Sequence, residues 1–172
     1  MFVLGIDPGL TRCGYGLVGV DPDKPGRYQA RSAGVIETNR ASSTPERLAV
    51  LHAELVALVD ELSPSALAVE RVFFQTNVRT AISVAQAAGV ALMVAVEAGL
   101  EVVEYTANEV KLAITGVGNA SKADMQQMVA TLTGFAGPLD PPDVADAMAL
   151  AICHLLTAPT RRALAKATGA RR

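Results

Sequence analysis

The strongest constraint on this chain is a short apolar run, residues 2–6, that stops at Asp7-Pro8-Gly9. An apolar run of that length closed by Pro and Gly reads as a strand buried on both faces, with Asp7 at its end. Side chains alternate across a strand, so Phe2, Leu4 and Ile6 share one face while Val3, Gly5 and Asp7 share the other. A carboxylate placed there needs a proton, a cationic side chain or a metal, because an unpaired buried charge is strongly unfavourable. Taken alone, Asp7 would simply cap the Pro8-Gly9 turn. A second strand, Ala66-Leu67-Ala68-Val69-Glu70, ends in an acid in the same way, with Glu70 on the face of Ala66 and Ala68. Both acids thus have small neighbours, which leave room for another element to pack closely over them.

Near the C-terminus, Pro141-Pro142-Asp143-Val144-Ala145-Asp146 opens an apolar helical stretch over residues 147–156. A spacing of three puts Asp143 and Asp146 on one helix face. By itself such a pair is an N-cap acid followed by an N3 acid that favours the helix dipole. Together with Asp7 and Glu70 it makes four carboxylates, two closing strands and two opening a helix. That is the composition of a metal site, and oxygen-only ligands suit Mg²⁺ or Mn²⁺.

At 172 residues the chain has the length of one domain of roughly 150 residues plus a tail. Hydrophobic residues make up 51% of it and aromatics only 4%, so the core is built from Ala, Val and Leu, as suits an α/β protein. A formal charge of −2 argues mildly against a nucleic-acid partner, but distribution matters more than the sum. Arg161, Arg162, Lys166, Arg171 and Arg172 lie in a stretch without acids, which leaves residues 1–160 at −7, a charge that bound cations would partly screen. Cys13 and Cys153 sit in apolar surroundings without ligand spacing and read as reduced core thiols. His52 and His154 fall in helical patterns and read as structural or solvent-facing. The N-terminus lacks the basic region and length of a signal peptide, and the longest apolar run, residues 87–96, is too short to cross a bilayer. A soluble, cytoplasmic chain with no membrane partner is expected.

In chain order, strand one is followed by a Gly-interrupted strand over 13–20, a turn-rich connector, and a third strand over 28–36; these three are expected to be antiparallel neighbours. Thr44 is expected as a helix cap with Pro45 at the first helical position, and Leu48, Leu51, Leu55, Leu58 and Leu62 mark an amphipathic helix. The strand ending at Glu70 follows that crossover and should pair in parallel with strand one. Asp7 and Glu70 would then end adjacent strands at the edge of the sheet where open α/β sheets place their sites. Residues 77–99 read as a long helix. Its stripe Ala81, Ala85, Ala88, Leu92, Ala95 lets two backbones approach, either against the sheet or across a dimer, and the pattern favours the sheet. Residues 100–105 form strand five. Thr106 with Glu109 makes a capping box for a short helix ending near Ile114. After a Gly-rich loop, Ser121 with Asp124 caps another helix carrying Lys122 in its first turn; this is either a ready anion site or an ordinary cap with a solvated lysine. Residues 134–142 read as a loop, and the chain beyond Pro159 as basic and frayed.

Directly after Glu70 comes Arg71-Val72-Phe73-Phe74-Gln75-Thr76-Asn77-Val78-Arg79. Phe73 and Phe74 are adjacent in an extended segment, so they point opposite ways. One packs beneath the loop, and the other is free to stack on a nucleobase, a contact worth ~1–3 kcal/mol whatever the base.

Gly5-Ile6-Asp7-Pro8-Gly9 with Gly14-Tyr15-Gly16, then Val69-Glu70 with Val72-Phe73, then Asp143-x-x-Asp146-Ala147 resembles the bacterial Holliday-junction resolvase family RuvC, in order and separation, over almost the whole chain. The resemblance implies a ribonuclease-H-like fold: a mixed five-stranded sheet flanked by helices, spanning residues 1–158, with 159–172 as a basic, flexible tail outside it. It implies a homodimer, Mg²⁺ or Mn²⁺ with two ions per site, a four-way DNA junction as substrate, and the RuvA–RuvB branch-migration complex as partner. It also implies work on the nucleoid of a bacterial cell. Carried over by position, Asp7, Glu70, Asp143 and Asp146 match the catalytic, metal-holding acids. Phe73 matches the aromatic at the strand crossover, and Lys111 and Lys122 match basic residues near the scissile phosphate. Phe74 and Arg79 are added as DNA contacts. Arg71 departs from the pattern, which has an uncharged amide there; a phosphate contact and pairing with an acid are both open to it. Two divalent ions about 4 Å apart could serve the attacking water and the leaving 3′-oxygen together, giving nicks with 5′-phosphate and 3′-hydroxyl ends.

Two rival classes are open to the same motifs. A sugar-kinase-like ATPase also begins with a Gly-x-Asp-x-Gly strand, but it needs a second such domain. A non-catalytic junction-binding module, or a related nuclease acting on ribosomal RNA precursors, would share the fold; four intact acids speak against the first and Phe73-Phe74 against the second.

Overall fold

The central strand of the sheet is the one that opens the chain. In the computed structural model, which describes residues 1–72, 78–135 and 139–168, β1 (Phe2–Asp7) pairs antiparallel with β2 (Arg12–Val20) and parallel with β4 (Ala66–Glu70). β3 (Tyr28–Glu37) lies antiparallel outside β2, and β5 (Glu101–Tyr105) parallel outside β4, giving the order β3-β2-β1-β4-β5. This is the expected mixed sheet.

The two faces of β1 carry the two halves of the core. Leu4 and Ile6, with Leu67 and Val69, pack against Leu51, Leu55 and Val59 of α1 (Thr44–Leu62) and Ala87, Ala91 and Ala95 of α2 (Val78–Glu97). Val3, with Ala66 and Ala68, faces α5 (Pro142–Thr168) and helices α3 (Ala107–Thr115) and α4 (Lys122–Thr133). Asp7 and Glu70 follow the second set of side chains, so they emerge on the α5 side.

Small residues let α5 lie almost on the sheet. A Cβ on Gly5 would stand 1.9 Å from the carbonyl oxygen of Ala147, and one on Gly16 would stand 2.6 Å from Cγ of Met148. The room expected over the two acids is therefore filled by the helix that carries the other two.

Several local expectations shift. Ser43, not Thr44, is the N-cap of α1, and Thr44 is its first helical residue; the Glu46 carboxylate accepts from the Ser43 N–H and hydroxyl at 2.8 Å each. The Glu46 side chain reaches only as far back as Ser43, which sets the helix start one residue earlier. The boxes at Thr106/Glu109 and Ser121/Asp124 form as expected. On α2, Ala88 and Ala95 of the small stripe are buried while Ile82, Met93 and Val96 are exposed on the opposite side at 49%, 47% and 67%. Beyond Pro159, where the sequence offered no regular element, α5 continues as helix to Thr168, and Arg162 reaches Glu101 at 3.2 Å. Cys13 and Cys153 are buried free thiols, and burial pushes both up to about 12. Among the described residues, no helix is long and apolar enough to cross a membrane.

Candidate active site

The site begins where β1 and β4 end. Ile6 and Val69 are parallel partners, so Asp7 and Glu70 leave neighbouring strands side by side. Across β1, the partner of Asp7 on β2 is Gly14. A Cβ there would stand 2.3 Å from the carbonyl oxygen of Asp143 and 3.0 Å from its Cβ. Any larger residue opposite Asp7 would push the first turn of α5 away, and Asp143 with it. One turn on, Asp146 is close enough to Asp7 and Glu70 to act on the charge of both, and it lines a cleft of about 240 Å³ with Glu70, Lys111 and Lys122. The floor of that cleft is apolar, formed by Val110, Met125, Ala149 and Leu150.

The turn that follows Asp7 is fastened from outside the sheet. Thr38 donates to the Leu10 carbonyl from its hydroxyl, and its N–H donates to the Thr11 carbonyl at 3.1 Å. Arg47 of α1 then bridges the hydroxyls of Thr38 and Thr11 at 2.9 and 2.6 Å. These contacts hold the end of β1 in place, and nothing in the sequence pattern marked Arg47 for that role.

The four acids sense one another. Asp7 is pushed up to about 7, first by burial, then by the charges of Asp146, Glu70 and Asp143, with Lys122 opposing. Glu70 is raised by burial and by Asp146, again against Lys122. Lys122 is raised chiefly by its hydrogen bond to Oδ2 of Asp146, at 2.7 Å. Asp143 is held by Arg12, whose Nε and Nη2 each stand 3.2 Å from Oδ2. Neither α5 acid serves as the helix cap: each carboxylate turns to a cation from another element. With their side chains so drawn, no three acids among the described residues stand close enough to enclose one ion.

The donor set nonetheless fits a divalent cation. It is all oxygen, it converges on the sheet edge, and its mutual repulsion is what a bound cation would offset. Glu70, Asp143 and Asp146 lie near enough to Asp7 to act on its charge, and these four are the residues that could hold it.

Of the remaining expected site residues, Lys111 and Lys122 are in the cleft, on α3 and in the first turn of α4. Arg71 is exposed, and its charge lies near enough to Glu109 to help hold that carboxyl low, after the Thr106 hydrogen bonds. Arg79 lies in the first turn of α2. Phe73 and Phe74 fall outside the described residues. Sequence reasoning missed Arg12. The signal was a cation three residues past the Pro-Gly turn, facing Glu37 across the β2–β3 ladder.

A five-stranded sheet in this order, with acids ending its two central parallel strands and a helix bringing two more across them, defines a nuclease of the ribonuclease-H-like fold. The family model for crossover junction endodeoxyribonuclease RuvC matches residues 3–154. A crossover junction endodeoxyribonuclease RuvC from Salinispora arenicola is 50% identical over 167 residues, covering 97% of this chain and 94% of that protein. The structure of RuvC from Thermus thermophilus superimposes with a TM-score of 0.86 at 34% identity, covering 94% of this chain and 97% of that one. The same protein in complex with a Holliday junction substrate gives a TM-score of 0.87 over 94% of this chain and 96% of that one. The chain belongs to the crossover junction endodeoxyribonuclease RuvC family.

Proposed function

We infer that this chain is a structure-selective endonuclease that resolves four-way DNA junctions, hydrolysing one phosphodiester in each of two strands during recombination and repair. The observation that carries the chemistry is the grouping of Asp7, Glu70, Asp143 and Asp146 with Lys122, where burial first and then the three neighbouring carboxylates push the carboxyl of Asp7 up to about 7. The nuclease unit is taken as residues 1–158, with the basic residues that follow outside it.

The site works with a divalent cation. Mg²⁺, which Mn²⁺ could replace, bound as two ions by the four acids, would supply positive charge to the attacking and leaving oxygens of the phosphodiester. The protein's own groups do the rest. Lys122, tethered to Asp146 in the free protein, is positioned to turn to a non-bridging phosphate oxygen once cations take over the carboxylates. Lys111, across the cleft, adds a second positive charge along the backbone. The apolar floor of Val110, Met125, Ala149 and Leu150 keeps bulk water from the inner side of the cleft. Phe73, by stacking at the strand crossover, and Phe74 and Arg79 are taken as the further DNA contacts. The products are nicks with 5′-phosphate and 3′-hydroxyl ends.

One acidic cluster per chain serves one cut, while a junction needs two. A two-fold dimer meets a two-fold substrate with two sites. The surface offered for it is the outer face of α2, where Ile82, Met93 and Val96 recur at helical spacing and are exposed around an open Gly89. The occupant proposed is a second copy of this chain. The substrate puts the working enzyme on chromosomal DNA in the bacterial cytoplasm, beside the RuvA–RuvB branch-migration complex.

The test is incubation with Mg²⁺ and a synthetic four-way junction, with linear duplex and an RNA–DNA hybrid as controls. Paired nicks confined to the junction are expected. Cleavage of the hybrid in preference to the junction would favour an RNA-processing role, and binding without any cleavage would leave a junction-binding module.

A further inference from the structure

Arg12 is the first residue of β2 and stands where three elements meet. Its Nε and Nη2 both reach the same oxygen of Asp143, Oδ2, at 3.2 Å. Its Nη1 lies 3.5 Å from Oε1 of Glu37, its cross-strand partner at the end of β3. The guanidinium is thus held from two sides, and being planar it cannot follow a carboxylate that turns, as an ammonium can. One oxygen of Asp143 is committed to a cation of the protein, and only Oδ1 is left to any other partner. The backbone of Asp143 lies directly on Gly14, which leaves it no room to move closer to the sheet.

Carboxylates that offer one oxygen favour some cations over others. Ca²⁺ gathers roughly six to eight oxygens and readily takes both from one carboxylate, whereas Mg²⁺ keeps six at short range, several of them from water. Building on the metal-site reading above, we propose that Arg12 is a positioning residue that limits Asp143 to a single donor oxygen and so sets the preference of the site for Mg²⁺ over Ca²⁺. Glu37 is part of the device, since it fixes the guanidinium. Lys122 on Asp146 acts alongside it less rigidly, because its side-chain exposure is 61% and its ammonium turns freely.

The experiment is calorimetric titration of the DNA-free protein with Mg²⁺, Mn²⁺ and Ca²⁺, for wild type, Arg12→Gln, Arg12→Lys and Glu37→Gln, with melting curves recorded in chelator. Arg12→Gln frees Oδ2 and should shift the Ca²⁺/Mg²⁺ affinity ratio toward Ca²⁺ by about two- to fivefold. Arg12→Lys should recover the wild-type ratio only in part, and Glu37→Gln should shift it in the same direction by less. A ratio unmoved in Arg12→Gln, or equal changes for both ions as a bare charge effect would give, overturns the assignment. If Arg12→Gln does not fold, Glu37→Gln decides, and an unmoved ratio there overturns it as well. Wild-type protein that binds neither Mg²⁺ nor Mn²⁺ at millimolar concentration would overturn the metal-site reading itself; binding with an unmoved ratio sinks only the role of Arg12.

Discussion

Replacing Asp7 by Asn should make the metal-free protein more stable, which inverts the usual effect of changing a buried, well-placed residue. The carboxyl of Asp7 is raised from its ordinary 3.8 to about 7, first by burial and then by three neighbouring carboxylates. A folded-state value above the unfolded one means that the folded protein holds this proton more tightly. The resulting stability is complete below pH 3.8 and is lost as the pH rises to about 7. At pH 8 in chelator, wild type therefore carries the whole penalty of an ionised Asp7, and the Asn variant carries none. At about 1.4 kcal/mol per pH unit the displacement corresponds to roughly 4 kcal/mol. Screening at this partly open edge reduces it, and about 2 kcal/mol is the expected gain. For a chain of this size that is a rise in Tm of ~4–8 °C. Differential scanning calorimetry from pH 4 to pH 8 reads it directly: the two proteins should melt together at the acid end and separate towards neutrality. Saturating Mg²⁺ should narrow the gap, since an ion at a hundred times its Kd stabilises wild type by about 2.7 kcal/mol and the variant by less. A variant that melts at or below wild type at pH 8 without metal would refute the reasoning. So would a gap that does not change with pH, because the ionisation of a buried Asp7 among other acids would not then be what strains the site.

Asp146→Asn removes a ligand charge and releases Lys122 from its pairing at 2.7 Å. Junction cleavage should fall below detection while binding holds or tightens at low salt, measured by nicking of a labelled junction beside fluorescence anisotropy. Met93→Glu should give a folded monomer in sedimentation that nicks junctions once rather than twice; a dimer that still makes paired cuts would move the contact away from the outer face of α2. Gly5→Ala sets a methyl group against the Ala147 carbonyl, where 1.9 Å separates the ideal positions, so α5 must shift. A loss of about 1–3 kcal/mol in urea unfolding is expected, with weaker metal binding because both α5 acids move with the helix, and an unchanged midpoint would count against the close docking.

Periodicity marked the strands and put Asp7 and Glu70 on one face, while short connections and the crossover helix gave the antiparallel and parallel pairing around β1. Those features depend on contacts along the chain or between neighbouring strands, and side-chain alternation expresses them directly. The two capping boxes, at Thr106 and Ser121, were legible for the same reason: each is closed within four residues. The four acids were legible as a set because strand ends and helix starts announce themselves. What they face was not. Arg12 and Asp143 are 131 residues apart, and Lys122 and Asp146 are 24 apart; which cation meets which acid follows only from how α5 crosses the sheet. That crossing depends in turn on Gly5, Gly14 and Gly16, residues whose missing side chains carry no periodic signal. The faces of α2 show the same division. A stripe of alanines and a row of larger apolar residues both run along the helix, and only the packing of Ala87, Ala91 and Ala95 into the core beneath decided that Ile82, Met93 and Val96 would be left outward. A helix can bury either face of an apolar sequence, so the choice rests on shape complementarity between distant segments rather than on hydrophobicity along one of them.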